Sequence, residues 1–250
     1  MSAIDRREFS KVTLGSLLAY SLLEIIGGHD VLASAVKPIA VKWLANINDL
    51  TQDLRGQKLT QLQWQTEIEK LFQQVSLSEF LSYVDFDQLI KDMKFKDSGE
   101  RAFQPRFPQV EGLPTELVFG HQMFALKQAR SIAPHGHNNM ATAFLILKGE
   151  FHGRHYERIE DEAEHMIVKP SIDRQFKVGE FSSISDFKDN VHWFKATTDT
   201  AFIFNIHVLN VDPKVKKRGR EYIDPNGEKL AGGKIRAKKL SLGEAYKLYG

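Results

Sequence analysis

The chain has 250 residues, 42% of them hydrophobic, with 34 Lys and Arg against 32 Asp and Glu and a formal net charge of +2. That is enough apolar material for one large domain, or one domain with a smaller helical layer. The near-balance of charge argues against a nucleic-acid partner, and the absence of cysteine excludes disulfides, thiolate metal sites and a cysteine nucleophile.

At the N-terminus, Arg6 and Arg7 are followed by Phe9, Lys11 and an apolar stretch from Val12 to Ile26. This resembles a twin-arginine export signal, with Ser10 departing from the pattern at its apolar position. Ala33-Ser34-Ala35 offers a small-residue cleavage site, so residues 1–35 form the candidate signal and the implied destination is periplasmic or extracytoplasmic. The stretch is short for a membrane span and contains Glu24, so no stable span is expected in the mature chain. The other reading is an amphipathic first helix that stays in the fold, which would leave the protein cytoplasmic.

Residues 36–98 read as helical. Thr60 and Gln63 form a capping-box pattern, and Trp64, Ile68, Leu71, Phe72 and Val75 follow at helical spacing. Asp85 to Gln88 repeats the cap pattern. Residues 99–114, with Pro105, Pro108 and Pro114, form a connector.

Beyond it the pattern changes to short runs rich in β-branched and aromatic residues, at Leu117–Ala129, Thr142–Lys148, Glu150–Arg158, His165–Val168 and Ala201–Leu209. Runs of this length separated by turn residues predict an all-β sandwich or barrel over residues 115–212. Residues 213–250 read as a basic C-terminal extension: the run KVKKRGR as a solvated surface segment, then a short helix from Ser241 with Glu244 completing its capping box.

Chemistry concentrates in the histidines. His135 and His137 are spaced i, i+2, which in an extended strand puts both rings on one face. Neutral imidazole is a ligand for iron, zinc, copper and nickel. Two imidazoles bind weakly, and His192, just after the turn-like Lys188-Asp189-Asn190, is the candidate third.

At these residues the chain resembles the cupin superfamily. His135 and His137 fill the histidine positions of the first cupin motif, Gly149 its closing glycine, and His192 the histidine of the second motif. The resemblance covers roughly residues 115–212 and implies a mainly β fold, a cupin-type antiparallel barrel with an N-terminal α-helical region. Thr142 stands where many cupins carry a glutamate ligand. A three-histidine set without that carboxylate resembles the cysteine dioxygenase-like group, which implies non-haem Fe(II), O2 and a small thiol or related molecule as substrate.

His207 follows His192 by fifteen residues, as the central histidine of that group's Ser-x-His-x-Tyr segment does. Asn205 replaces the serine and Leu209 the tyrosine, which puts cysteine itself in doubt as substrate. His207 is thus either a residue that orients a ligand or substrate through a hydrogen bond, or a satisfied core histidine. Arg130 and Arg154 are open candidates for the group's carboxylate-binding arginine, or else surface charges. His152 and His155 face either the cavity or solvent, His121 could point inward, and His29 and His165 read as surface residues. Mn, Ni, Cu and Zn suit the same ligands as Fe. Cupins often pair through their barrels, which implies a possible homodimer. A non-enzymatic metal-binding or small-molecule-sensing cupin of the cell envelope is the alternative to the oxygenase.

Overall fold

A computed structural model describes residues 29–108 and 110–250, with side chains from residue 39 onward. The paired arginines of the export motif lie outside the described residues. Four helices come first: α1 (His29–Arg55), α2 (Gln61–Gln73), α3 (Leu77–Tyr83) and α4 (Phe86–Ile90). Eleven strands follow: β1 (Arg101–Phe103), β2 (Gly120–Lys127), β3 (Ser131–Asn138), β4 (Met140–Lys148), β5 (Phe151–Asp161), β6 (His165–Phe176), β7 (Phe181–Ile184), β8 (Val191–Ala196), β9 (Thr200–Leu209), β10 (Gly219–Leu230) and β11 (Lys234–Leu240). The last element is helix α5 (Leu242–Tyr249). None of the described helices is long and apolar enough to cross a membrane.

The capping boxes at Thr60–Gln63 and Ser241–Glu244 both form. The one expected at Asp85 does not: Asp85 adopts φ of 49° and its side chain makes no cap hydrogen bond. In α2, Trp64, Ile68 and Phe72 are buried four residues apart, as the spacing predicts.

The strands form two antiparallel sets, a five-stranded sheet in the order β1-β2-β9-β4-β7 and a closed six-stranded ring in the order β10-β11-β6-β5-β8-β3. The protein is therefore mainly β, an antiparallel barrel with an N-terminal helical region. Both faces of the five-stranded sheet are covered, and the two-residue period of a strand divides its side chains. On β9, Phe202, Phe204, Ile206 and Val208 join the helical core with Trp43, Trp64 and Phe80, whereas Ala201 and Ile203 join the core between sheet and ring. On β4, Leu145 goes to the helices, while Phe144 and Ile146 go to the inner core. This burial of both faces makes these strands read as continuous apolar runs.

The barrel does not end at residue 212. β10 and β11 close the ring, β10 pairing with β3 and β11 with β6. The segment read from sequence as a surface extension thus supplies two structural strands, and α5 packs against the ring beyond them. Without this hairpin β3 and β6 would each present an unpaired edge. A chain truncated after residue 212 is expected to lose its cooperative thermal transition in far-UV circular dichroism. A truncated chain melting within a few degrees of the full one would show the closure to be dispensable.

Candidate metal centre

The site begins with a proline. Pro134 has no N–H to give to a ladder, so a strand tolerates it at an edge or a bulge. The β3–β8 register skips here: Ile132 pairs with Phe194 and His135 with His192, three residues on β3 against two on β8. The extra residue changes the phase of the strand. Ile132, His135 and His137 consequently all line one cavity, despite their uneven spacing. The bulge also aims a carbonyl. Ala133 O lies 2.7 Å from His135 Nδ1, which donates to it and leaves Nε2 as the free lone pair.

Gly136 lies between the two histidines on the opposite face. A Cβ there would stand 2.7 Å from Asn190 Oδ1. Asn190 uses that closeness: its Nδ2 donates to His137 O and to Ser185 O, both at 3.0 Å. Arg158 Nη1 donates to the same His137 carbonyl at 3.2 Å and to Asn138 Oδ1 at 2.9 Å. Asn139, at φ of 57°, turns the chain from β3 into β4 and holds Asp212 through both backbone groups, accepting its N–H at 2.7 Å and donating to its carbonyl at 2.8 Å.

His192 pairs with His135 across β3–β8, completing the set expected from sequence. The donor atoms of His135, His137 and His192 lie within 4.8 Å of one another, and all three residues are buried. Their ring centroids are 4.8, 4.2 and 5.0 Å apart. With metal–nitrogen bonds of 2.0–2.1 Å, ring centres lie about 3.2 Å from an ion, and a right angle between ligands separates them by about 4.5 Å. The observed spacings bracket that value, so the three rings could hold a metal ion as one face of an octahedron. His135 Nε2, both nitrogens of His137 and His192 Nδ1 are buried with no hydrogen-bond partner in the protein. Donors in that condition fit a cation.

Burial keeps these rings neutral. It pushes His135 down to about 3, helped by the Arg220 charge. It also holds His137 and His192 well below the usual histidine range, with His135 adding to the effect at both and His137 adding to it at His192. Neutral imidazole is the metal-binding form, so no proton need leave at neutral pH.

The cavity, about 180 Å³, lies between the ring and the five-stranded sheet. Phe124, Ile132 and Phe144 supply its apolar wall. Leu145 and Phe202 face the helices because they lie on the opposite pleat. Thr142, at the glutamate position, is committed to β9: its hydroxyl donates to Ile206 O at 2.7 Å and accepts from Asn205 Nδ2 at 2.5 Å. Asn205 Oδ1 in turn accepts from His207 Nδ1 at 3.3 Å. His207 therefore lines the cavity, and its hydrogen bond goes to Asn205, not to a triad histidine.

The remaining candidates lie elsewhere. Arg154 stacks over Trp193, 4.6 Å from its ring centroid, and pairs with Asp173 at 3.3 Å. Neither Arg154 nor Arg130 lines the cavity. His152 pairs with Asp173 and His165 lies 3.8 Å from Glu162. His121 donates to Pro105 O at 3.0 Å and stacks on Phe107. His155 is fully buried beside Phe176 and Phe194, its ring 6.4 Å from that of His192. His29 has no described side chain.

The arginine that does reach the cavity is Arg220. On β10 it pairs with His137, and Tyr222 pairs with His135. Arg220 is exposed, and among the described residues it makes no hydrogen bond or ion pair. Its signal in the sequence is the alternation of Arg220 and Tyr222 with the buried Ile223, masked by the charged run before it.

No family model and no curated protein matches the sequence. Among solved structures the chain is similar to an uncharacterized conserved protein with a double-stranded beta-helix domain from Klebsiella pneumoniae, at 11% identity and TM-score 0.34, over 56% of this chain and 87% of that one. It is also similar to procruciferin, an 11S globulin from Brassica napus, at 14% identity and TM-score 0.31, over 42% of this chain and 23% of that one. Pumpkin seed globulin aligns at 13% identity and TM-score 0.35, over 51% and 29% respectively. The chain thus spans less than a third of the length of either globulin.

The buried histidines set an acid limit on the metal-free protein. Their folded pKa lies below the unfolded value, so each takes up a proton on unfolding, and stability falls as pH drops below that unfolded value. For His135 and His155, both pushed down to about 3 by burial, the loss runs from about pH 6.5 towards 3. Each costs up to about 1.4 kcal/mol per pH unit in that window. Urea unfolding of metal-free protein should show constant stability above pH 7 and a decline below 6.5, with a shallower decline in His155→Phe. Equal slopes in the two proteins would contradict a neutral buried His155.

Proposed function

We propose that the chain is an exported three-histidine cupin oxygenase that binds Fe(II) and uses O2 to oxidise a small organic anion, a thiol or a close relative. One observation carries this reading. Three neutral imidazoles, each with at least one nitrogen that has no partner in the protein, open onto a small, largely apolar cavity that no carboxylate lines among the described residues, with an unpaired guanidinium at its rim. The resemblance of His135, His137, His192 and His207 to the cysteine dioxygenase-like pattern supports the same chemistry.

With only neutral ligands a divalent ion keeps its full charge and has positions free for a substrate. Bound Fe(II) would let triplet O2 react with a closed-shell molecule, the substrate itself being the group that is oxidised. The chain's residues do the rest. Arg220 offers paired N–H donors to a carboxylate or similar anion, the geometry at which arginine excels. Phe124, Ile132 and Phe144 keep bulk water from the reacting groups and so strengthen that ion pair. The Ala133 carbonyl and the Asn190 clamp fix His135 and the His137 backbone, limiting the motion of the ligand set.

A second reading rests on Leu209. It lines the cavity mouth where the resembled enzymes carry a tyrosine, and it is 47% exposed. A barrel without that hydroxyl suits a metal-binding or small-molecule-sensing protein of the envelope.

Protein purified from its native compartment should contain close to one iron per chain by elemental analysis, with binding lost in His135→Ala. Fe(II)-loaded protein should consume O2 with at least one of a panel of small thiol acids, and Arg220→Ala should raise KM about tenfold, as loss of a charge-assisted hydrogen bond does. Iron at full occupancy, a large melting shift on chelation and no O2 uptake would instead favour the binding protein. Zinc, manganese, nickel or copper at full occupancy would replace Fe(II). For export, paired substitution of Arg6→Lys and Arg7→Lys should leave the protein in the cytoplasmic fraction; unchanged fractionation would remove the twin-arginine route.

A further inference from the structure

Three voids lie in series along the barrel's open side. The metal cavity, about 180 Å³, shares Gln122 and His207 with an outer groove of about 290 Å³ lined also by Phe103 and Gly120. That groove shares Gln104 and His121 with a larger one of about 830 Å³, which includes Phe107 and Phe119. His207 is thus the side chain between the metal cavity and the first groove.

Its position there is specified by its neighbours. The ring lies directly over Gly120, its pairing partner on β2. A Cβ on residue 120 would fall 2.1 Å from His207 Nε2 and 2.6 Å from its Cε1. Only glycine leaves room for the ring, and φ at Gly120 is not in the left-handed region, so the requirement is purely one of space. From the other side Asn205 accepts from His207 Nδ1, and Thr142 anchors Asn205. One long, 3.3 Å hydrogen bond is therefore the ring's only polar tie among the described residues.

We propose that His207 is a partition that sets the size of molecule admitted to the metal cavity, and that rotating it off Gly120 joins the cavity to the outer groove. The cavity alone is smaller than the 300–1,000 Å³ typical of sites for drug-sized ligands, whereas cavity and groove together enter that range. The matching ligand is an organic anion with an apolar tail. Its charged head lies near Arg220 and the triad, and its tail passes His207 towards Phe103 and His121. This rests on the metal reading above only for the placement of the head.

The test uses two carboxylates, acetate and 3-phenylpropionate, on the full chain. Binding is read by the visible spectrum of Co(II)-loaded protein, and by calorimetry on metal-free protein. His207→Ala should bind 3-phenylpropionate at least tenfold more tightly than wild type, while acetate affinity changes less than threefold. Gly120→Ala should displace the ring and, like His207→Ala, strengthen the longer ligand at least threefold relative to acetate, with the Co(II) spectrum retained. The same ratio of long to short ligand in wild type and both variants would overturn the partition. If His207→Ala does not fold, His207→Ser, which also shortens the side chain, is read against the same criterion. Failure of wild type to take up Co(II) would count against the metal reading alone, since the calorimetric ratios still decide the partition.

Discussion

Three buried imidazoles with four nitrogens that find no protein partner are the constraint around which this structure is arranged. Each unsatisfied buried nitrogen costs roughly 1–3 kcal/mol, and His135, His137 and His192 present four of them. Nothing local repays that cost, so the surrounding barrel must. The packing of Phe144 against His192 and Phe194, and of Phe194 against Phe151 and Phe176, provides dense apolar burial beside the site. Arg158 adds a polar brace from outside, reaching the His137 carbonyl while pairing with Glu221 at 2.6 Å. The strand bearing two candidate ligands is therefore fixed on both faces.

The departures from the cupin pattern are linked through hydrogen bonds. Thr142 in place of glutamate supplies a hydroxyl rather than a ligand, Asn205 in place of serine bonds to that hydroxyl, and His207 bonds to Asn205. Read singly, each looks like loss of a family feature. Together they are one chain of donors and acceptors along β4 and β9, so restoring any one residue would alter the hydrogen bonding of the next.

The histidine cluster was legible because metal chemistry restricts residue type and spacing: the structure brings together His135, His137 and His192, the three that the sequence singles out. The N-terminal helix face was legible through its four-residue period. β3 was harder to see, since Pro134, Gly136 and the polar residues around them hide a fully buried strand. β10 and β11 were hidden for a different reason. Half-buried Glu221 on β10 and Lys239 on β11, with Lys217 just before β10, form ion pairs with Asp161 and Arg158 from β5 and with one another, while Ile223 and Ala237 are among the few apolar residues the two strands bury. The charge that made the segment look like solvated surface is part of what holds the ring closed, and it concealed Arg220.

The five-stranded sheet is a wall one layer thick, with the histidine-lined cavity on one side and the helical layer on the other. Asn205 and His207 alternate along β9 with Phe204 and Ile206, and Phe204 packs on Phe80 of α3 at 4.8 Å. Across that wall, stability and selectivity are not separate traits. Selection acting on the packing of the helices also acts on the shape of the cavity, and a substitution far from the histidines in sequence can alter it through a single backbone.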